Sequence, residues 1–240
     1  MIIERYFNII TSILEKIKNT QSDKINTVGG MVAEVIENGG IVYVFGCGHS
    51  HLAALDCFYR SGGLANVSAV LDTDLMLHNG AAKSSKMEKM HGIAAAVFER
   101  YCITKNDILF VISTSGKNAV PVEMAQEAAK HGVKTVGIVS SDYFADKKDK
   151  PMLFEVCDAF IDNCVPHGDA VLELCGSNVN MGSVSTAAST FIMQTVLAIG
   201  AQIALENGAD VPVYMSGNVE GGSEFNEKII KRFLPKIKHL

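Results

Sequence analysis

Apolar residues at Ile3, Phe7, Ile10, Leu14 and Ile17 recur at steps of three and four. This spacing predicts an amphipathic helix over residues 2–18 whose single apolar stripe must dock on something. A second helix is predicted over 22–38, with Ile25, Val28, Val32, Val35 and Ile36 turned inward and Gly39-Gly40 as its terminator. The period then changes. Ile41-Val42-Tyr43-Val44-Phe45 is a continuous apolar, β-branched run bounded by glycines, the texture of a strand covered on both faces. That texture returns at 108–112 and 135–139, with a helical segment over 119–131 between them; the spacing predicts a βαβ unit with a right-handed crossover. Weaker strand candidates are 67–71, 159–162 and 171–174, while 86–101 and 183–207 read as helices. Residues 142–151, with the run Asp-Lys-Lys-Asp-Lys, predict a charged, solvated loop. The sum is an α/β fold of three layers, a doubly wound parallel sheet preceded by an N-terminal helical extension.

Composition narrows this picture. With 240 residues, 48% hydrophobic and 20% charged, the chain can bury a full core, and it divides into a helical extension (1–38) and one α/β domain (39–240). The net charge of −5 argues against a nucleic-acid partner, whose backbone is gripped by clustered Lys and Arg. Six cysteines without a C-x-x-C pair read as reduced, mostly buried thiols, and the N-terminus lacks the pattern of a secretory leader, so a cytoplasmic location is expected. From Leu174 to Leu205 there is no charged residue, long enough for a membrane span. The segment is rich in Ser, Thr, Asn and Gln, however, and is bracketed by Glu173 and Glu206, which fits a helix buried in the domain or at a subunit interface and no membrane partner.

Two loops carry candidate chemistry. Gly46-Cys47-Gly48-His49-Ser50 leaves the first strand and enters a helix at the carboxyl edge of the sheet, where ligands bind and free helix-start amides favour an anion. It is not a dinucleotide fingerprint, since His51 stands where the third glycine is needed. A plain strand-to-helix turn is an equal reading. Ser113-Thr114-Ser115-Gly116-Lys117-Asn118 also follows a buried strand and precedes a helix, converging hydroxyls, an amide and backbone N–H groups into a cup suited to a phosphate dianion. A Walker A loop would need glycine at Val111 and a nucleophile elbow glycine at Ser113. A helix cap without ligand is the alternative.

Paired G-x-G-x-S and S-x-S-G-x-x loops, each between a buried strand and a helix, resemble the SIS (sugar isomerase) domain. The stretch from Asp107 through Ser113-Thr114-Ser115-Gly116-Lys117-Asn118 to Pro121, with Pro166-His167-Gly168-Asp169-Ala170 and Ser216-Gly217-Asn218, resembles an uncharacterised phosphosugar-binding subfamily of it. Phosphoheptose isomerases and the isomerase half of glucosamine-6-phosphate synthase are related, and the resemblance spans about Ile41 to Asn226. It implies phosphate binding by Ser113, Thr114, Ser115 and Asn118, and a sugar contact from Gly48 and Ser50. The metal-binding His and following Glu of phosphoheptose isomerases fall at Asp56 and Arg60, so no metal site carries over. The resemblance also implies a homodimer or homotetramer that shares its ligand sites.

Aldose–ketose isomerisation needs a base that moves a proton between C1 and C2 and a group that opens the ring, and requires no cofactor. Glu88 is the preferred base, read as starting the helix Glu88-Lys89-Met90-His91-Gly92, against the alternative that it complements a helix dipole. His91 and His167 are further catalytic candidates, while Asp169 and Asn218, the latter in a polar loop able to close over a site, are sugar-binding candidates. His49, His51 and His78 read as hydrogen-bonding residues, and Cys47 as packing. The leading expectation is a sugar-phosphate isomerase. A non-catalytic sugar-phosphate sensor and a phosphosugar lyase, as in the muramic-acid-phosphate etherases, remain open.

Overall fold

The continuous apolar runs lie side by side because helices shield both of their faces from water. In the computed structural model, which describes residues 1–240, β1 (Val42–Gly46), β2 (Val67–Val70), β3 (Ile108–Ile112), β4 (Lys134–Val139) and β5 (Ala159–Asp162) form an all-parallel sheet ordered β2-β1-β3-β4-β5. The helices are α1 (Ile2–Glu37), α2 (His51–Cys57), α3 (Ala81–Met87), α4 (Ile93–Glu99), α5 (Ala119–Lys130), α6 (Leu153–Val156), α7 (Ser185–Glu206) and α8 (Gly222–Phe233). On one face Val42, Val44, Ile108 and Phe110 meet α1, α2 and α7; on the other Tyr43, Phe45, Leu109 and Val111 meet α4, α5 and the C-terminal Phe233 and Ile237. The expected three-layer α/β architecture is thus present.

The uncharged stretch supplies α7. It is long and apolar enough to cross a membrane by length and composition. In this fold its Ile192, Met193 and Val196 are buried in the core that it shares with α1 and α2. The α1–α7 crossing is close: a Cβ added at Gly29 would stand 2.4 Å from Ile199 Cγ2, and one at Gly200 2.5 Å from Val32 Cγ1.

Several expectations need correction. The two N-terminal helices are one, because nothing between Lys18 and Ser22 stops the helix. Thr20 Oγ1 donates to Lys16 O at 2.8 Å, and Gln21 turns inward to accept the Asp162 N–H at 3.2 Å. The stripe on the first turns does not dock: Ile3 and Phe7 are 71% and 67% exposed, whereas Ile17 is fully buried. The helix expected over 86–101 is broken into α3 and α4 by a turn at 88–92, where Gly92 takes φ 85°. Residues 171–174 do not join the parallel sheet; β6 (Ala170–Leu172) pairs antiparallel with β7 (Met181–Ser183) in a small hairpin. The 3₁₀ turn Ser141–Asp146 orders part of the loop expected to be solvated, and α8 was not foreseen.

Candidate functional site

The sheet order reverses direction between β1 and β3, so the chain leaves their carboxyl ends toward opposite sides and opens a crevice there. A cavity of about 240 Å³ occupies it. The loop after β1 contributes Cys47, His49 and Ser50, and the loop after β3 contributes Ser113, Thr114, Ser115 and Asn118. Glu88, Tyr143, Asp169 and Ser185 complete the wall.

The 113–118 loop leaves several of its amides unpaired. Gly116, at φ 62°, donates its N–H to Ser113 Oγ at 3.2 Å, which folds the loop back on itself. Behind it, the fully buried Asn163 donates to Thr114 Oγ1 and to Ser189 Oγ, both at 3.3 Å, and Ser140 N donates to Thr114 O at 2.9 Å. The N–H groups of Ser115, Lys117 and Asn118 find no acceptor within the chain. Asn118 is the N-cap of α5, so these donors sit at the positive end of that helix. The longer α7 also starts at this cavity, with Ser185 in the wall.

Glu88 caps α3 and does not start a helix, which corrects the expectation. The break after Met87 has a consequence for its position: Glu88 O accepts the Val120 N–H at 3.0 Å, tying the turn to the first turn of α5. The half-buried carboxyl is raised above the ordinary range by burial, against the opposing pull of Lys89 and of the Asn118 side chain. Burial, with Glu88 and Asp72 adding to it, pushes the Cys47 thiol well above its usual value, so it is held protonated and is a poor nucleophile.

Asp169, at φ 64°, accepts from Val184 N at 2.9 Å, Ser185 N at 2.8 Å and Ser185 Oγ at 2.6 Å. Its carboxylate is therefore engaged in capping α7 while lining the cavity. Gly48, at φ 55°, donates its N–H to Leu75 O at 2.9 Å and shapes the first loop without itself lining the wall. His167 stands one layer out, stacked on Tyr143 at 4.4 Å and bonded to Asp146 at 3.2 Å. His91 lies outside the cavity, between Glu123 and Lys150. Asn218 sits in the exposed loop before α8, near a different groove lined by Gly217 and Tyr214. Asp56 and Arg60 pair with each other, and Gln194 Nε2 donates to Asp56 Oδ2 at 2.8 Å. His51, buried, holds the first loop by donating from Nδ1 to Gly48 O.

Tyr143, Ser185 and Asn163 were not singled out from the sequence. Tyr143 falls in a stretch whose charge dominates its pattern, and Asn163 acts from behind the loop through contacts that cross the fold; no sequence signal marks either. The strand-to-helix position of Ser185 was the one available hint.

Comparison with known proteins agrees with this architecture. A family model described as "SIS domain" matches residues 5–140. The chain is 39% identical over 245 residues to the UPF0309 protein of Caldanaerobacter subterraneus subsp. tengcongensis, covering 99% of this chain and 100% of that protein. It is 37% identical over 239 residues to the UPF0309 protein of Geobacillus thermodenitrificans, covering 98% and 96%. Among solved structures, a phosphoheptose isomerase from Francisella tularensis has a TM-score of 0.54 at 17% identity, covering 83% of this chain and 96% of that one. The phosphoheptose isomerase from Neisseria gonorrhoeae gives 0.52 at 15%, covering 83% and 97%. At these identities the structural likeness is one of fold.

Proposed function

Since the chain belongs to the SIS-domain family, and within it to the UPF0309 proteins, we propose that it binds a sugar phosphate at the β1/β3 crevice and interconverts its aldose and ketose forms. One observation carries this reading: Ser113, Thr114, Ser115 and Asn118, of which Ser115 and Asn118 keep unpaired N–H groups, line one cavity with the raised Glu88 carboxyl. The phosphate rests on Ser113, Thr114, Ser115 and Asn118, supported by the dipole of α5. The sugar extends past Ser50 toward Glu88.

In this reading Glu88 removes the proton from C2 of the open aldose while the carbonyl oxygen at C1 gains one, giving a neutral enediol. The proton is returned to carbon at C1 as the O2 hydroxyl loses its own, leaving the ketose. A carboxylate of raised basicity suits proton transfer near neutral pH. His49, the one histidine lining the cavity, serves ring opening. The exposed apolar side chains of Ile3 and Phe7 support assembly into a dimer or tetramer.

The test is deuterium incorporation, followed by NMR, when the protein is incubated in D₂O with hexose, heptose and N-acetylhexosamine phosphates. Exchange at C1 or C2 is expected, and its loss in Glu88→Gln would identify the base. Thermal stabilisation by a sugar phosphate without exchange or elimination would instead leave a binding protein.

A further inference from the structure

Asn118 stands at the junction of three cavities. Besides the crevice, it lines a groove of about 420 Å³ with Lys89, His91, Lys117 and Lys150. It also lines one of about 610 Å³ with Lys117, Lys147, Lys148 and Lys150. These five lysines converge from three separate stretches: the turn after α3, the 113–118 loop and the segment before α6. Asp146, Asp149 and Glu123 line the same two grooves, so what sets the place apart is which of the lysines lack a carboxylate partner.

Most of the carboxylates nearby are already engaged. Asp146 takes Lys117 at 2.6 Å, Glu155 pairs with Lys147, and Glu123 is bonded to His91 and to the Gly92 N–H. Asp149 lines the larger groove. Lys89 and Lys148 enter no ion pair, and Lys150 Nζ donates to the imidazole Nε2 of His91 at 3.0 Å in place of a carboxylate. Lys89 and Lys150, which share one groove without a carboxylate partner of their own, are left able to take an anion between them.

The geometry points to a second anion subsite, continuous with the phosphate cup, so that the preferred ligand is a sugar phosphate bearing a further anionic group, a second phosphate or a carboxylate. This rests on the cup reading above. Adjacent residues link the two: Glu88 lines the crevice and Lys89 the groove. A sugar that reaches Glu88 therefore has the groove of Lys89 and Lys150 next to it to receive a charged substituent.

Calorimetric titration with glucose 6-phosphate, 6-phosphogluconate and glucose 1,6-bisphosphate tests this. The two ligands with the extra anion are expected to bind about tenfold tighter than glucose 6-phosphate. The Lys89→Gln/Lys150→Gln double variant, at exposed positions that leave the core intact, is expected to erase that gain while holding glucose 6-phosphate within about twofold. Equal affinity of all three ligands for the native protein, or a gain that survives the double variant, overturns the subsite alone. Affinities unchanged by Ser115→Ala, or no binding across the set, overturn the cup reading and the subsite with it.

Discussion

A carboxyl of raised pKa is a charge that the folded state tolerates poorly, and Glu88 is one. Between the ordinary glutamate pKa and its raised folded value, the unfolded chain has released its proton while the folded chain retains it. Stability therefore falls as pH rises through that window and stays lower above it. Glu88→Gln, which cannot ionise, is expected to melt at a higher temperature than the native protein at about pH 8, with the gap closing as pH drops toward the ordinary carboxyl range of about 4.3. A native protein more stable at the alkaline end would mean that Lys89 and Asn118 outweigh burial. The residues of the two loops were legible in the sequence because a strand-to-helix junction rich in Gly, Ser and Thr has a local signature. Tyr143 and Asn163 were not, since their roles depend on which segments the fold brings behind and beside those loops.

At the scale of elements, the α1–α7 crossing has a sharp test in two adjacent glycines. Alanine at Gly29 would force its methyl to within 2.4 Å of Ile199, whereas alanine at Gly30 meets nothing within 4 Å. Gly29→Ala is expected to lower stability by about 1–3 kcal/mol through overpacking. Gly30→Ala should raise it by up to about 1 kcal/mol, as helix propensity alone dictates. Urea unfolding of the pair measures both. Equal effects would show that the helices separate easily at this crossing. The β1, β3 and β4 strands were readable because burial on both faces imposes continuous apolar runs. The join at residues 18–22 was misread because a helix continues through polar residues when its neighbours supply partners for them, as Asp162 does for Gln21. The break at 88–92 was missed for the complementary reason: Gly92 and the tie from Glu88 to Val120 turn the chain there despite apolar spacing on both sides.

Over the whole molecule, the uncovered start of α1 carries the expected consequence. Ile3→Glu/Phe7→Glu should shift a native dimer or tetramer toward monomer in size-exclusion chromatography with light scattering, while circular dichroism stays unchanged because neither side chain is in the core. A native monomer would remove the basis for assembly through this face. The strand order and the resulting crevice explain why the sequence went as far as it did. Alternation of buried strands and amphipathic helices, and the chemistry of the loops at their junctions, are encoded in contiguous residues, so the sequence by itself determined the α/β class, the central strands and the place of the 113–118 loop at a strand-to-helix junction. Which loops share one cavity is a property of strand order. Tertiary structure alone decided that Glu88, Tyr143 and Ser185 face Ser115, that His91 and Asn218 lie elsewhere, and that five lysines meet beside Asn118. Those proximities join positions tens of residues apart, and no local period records them.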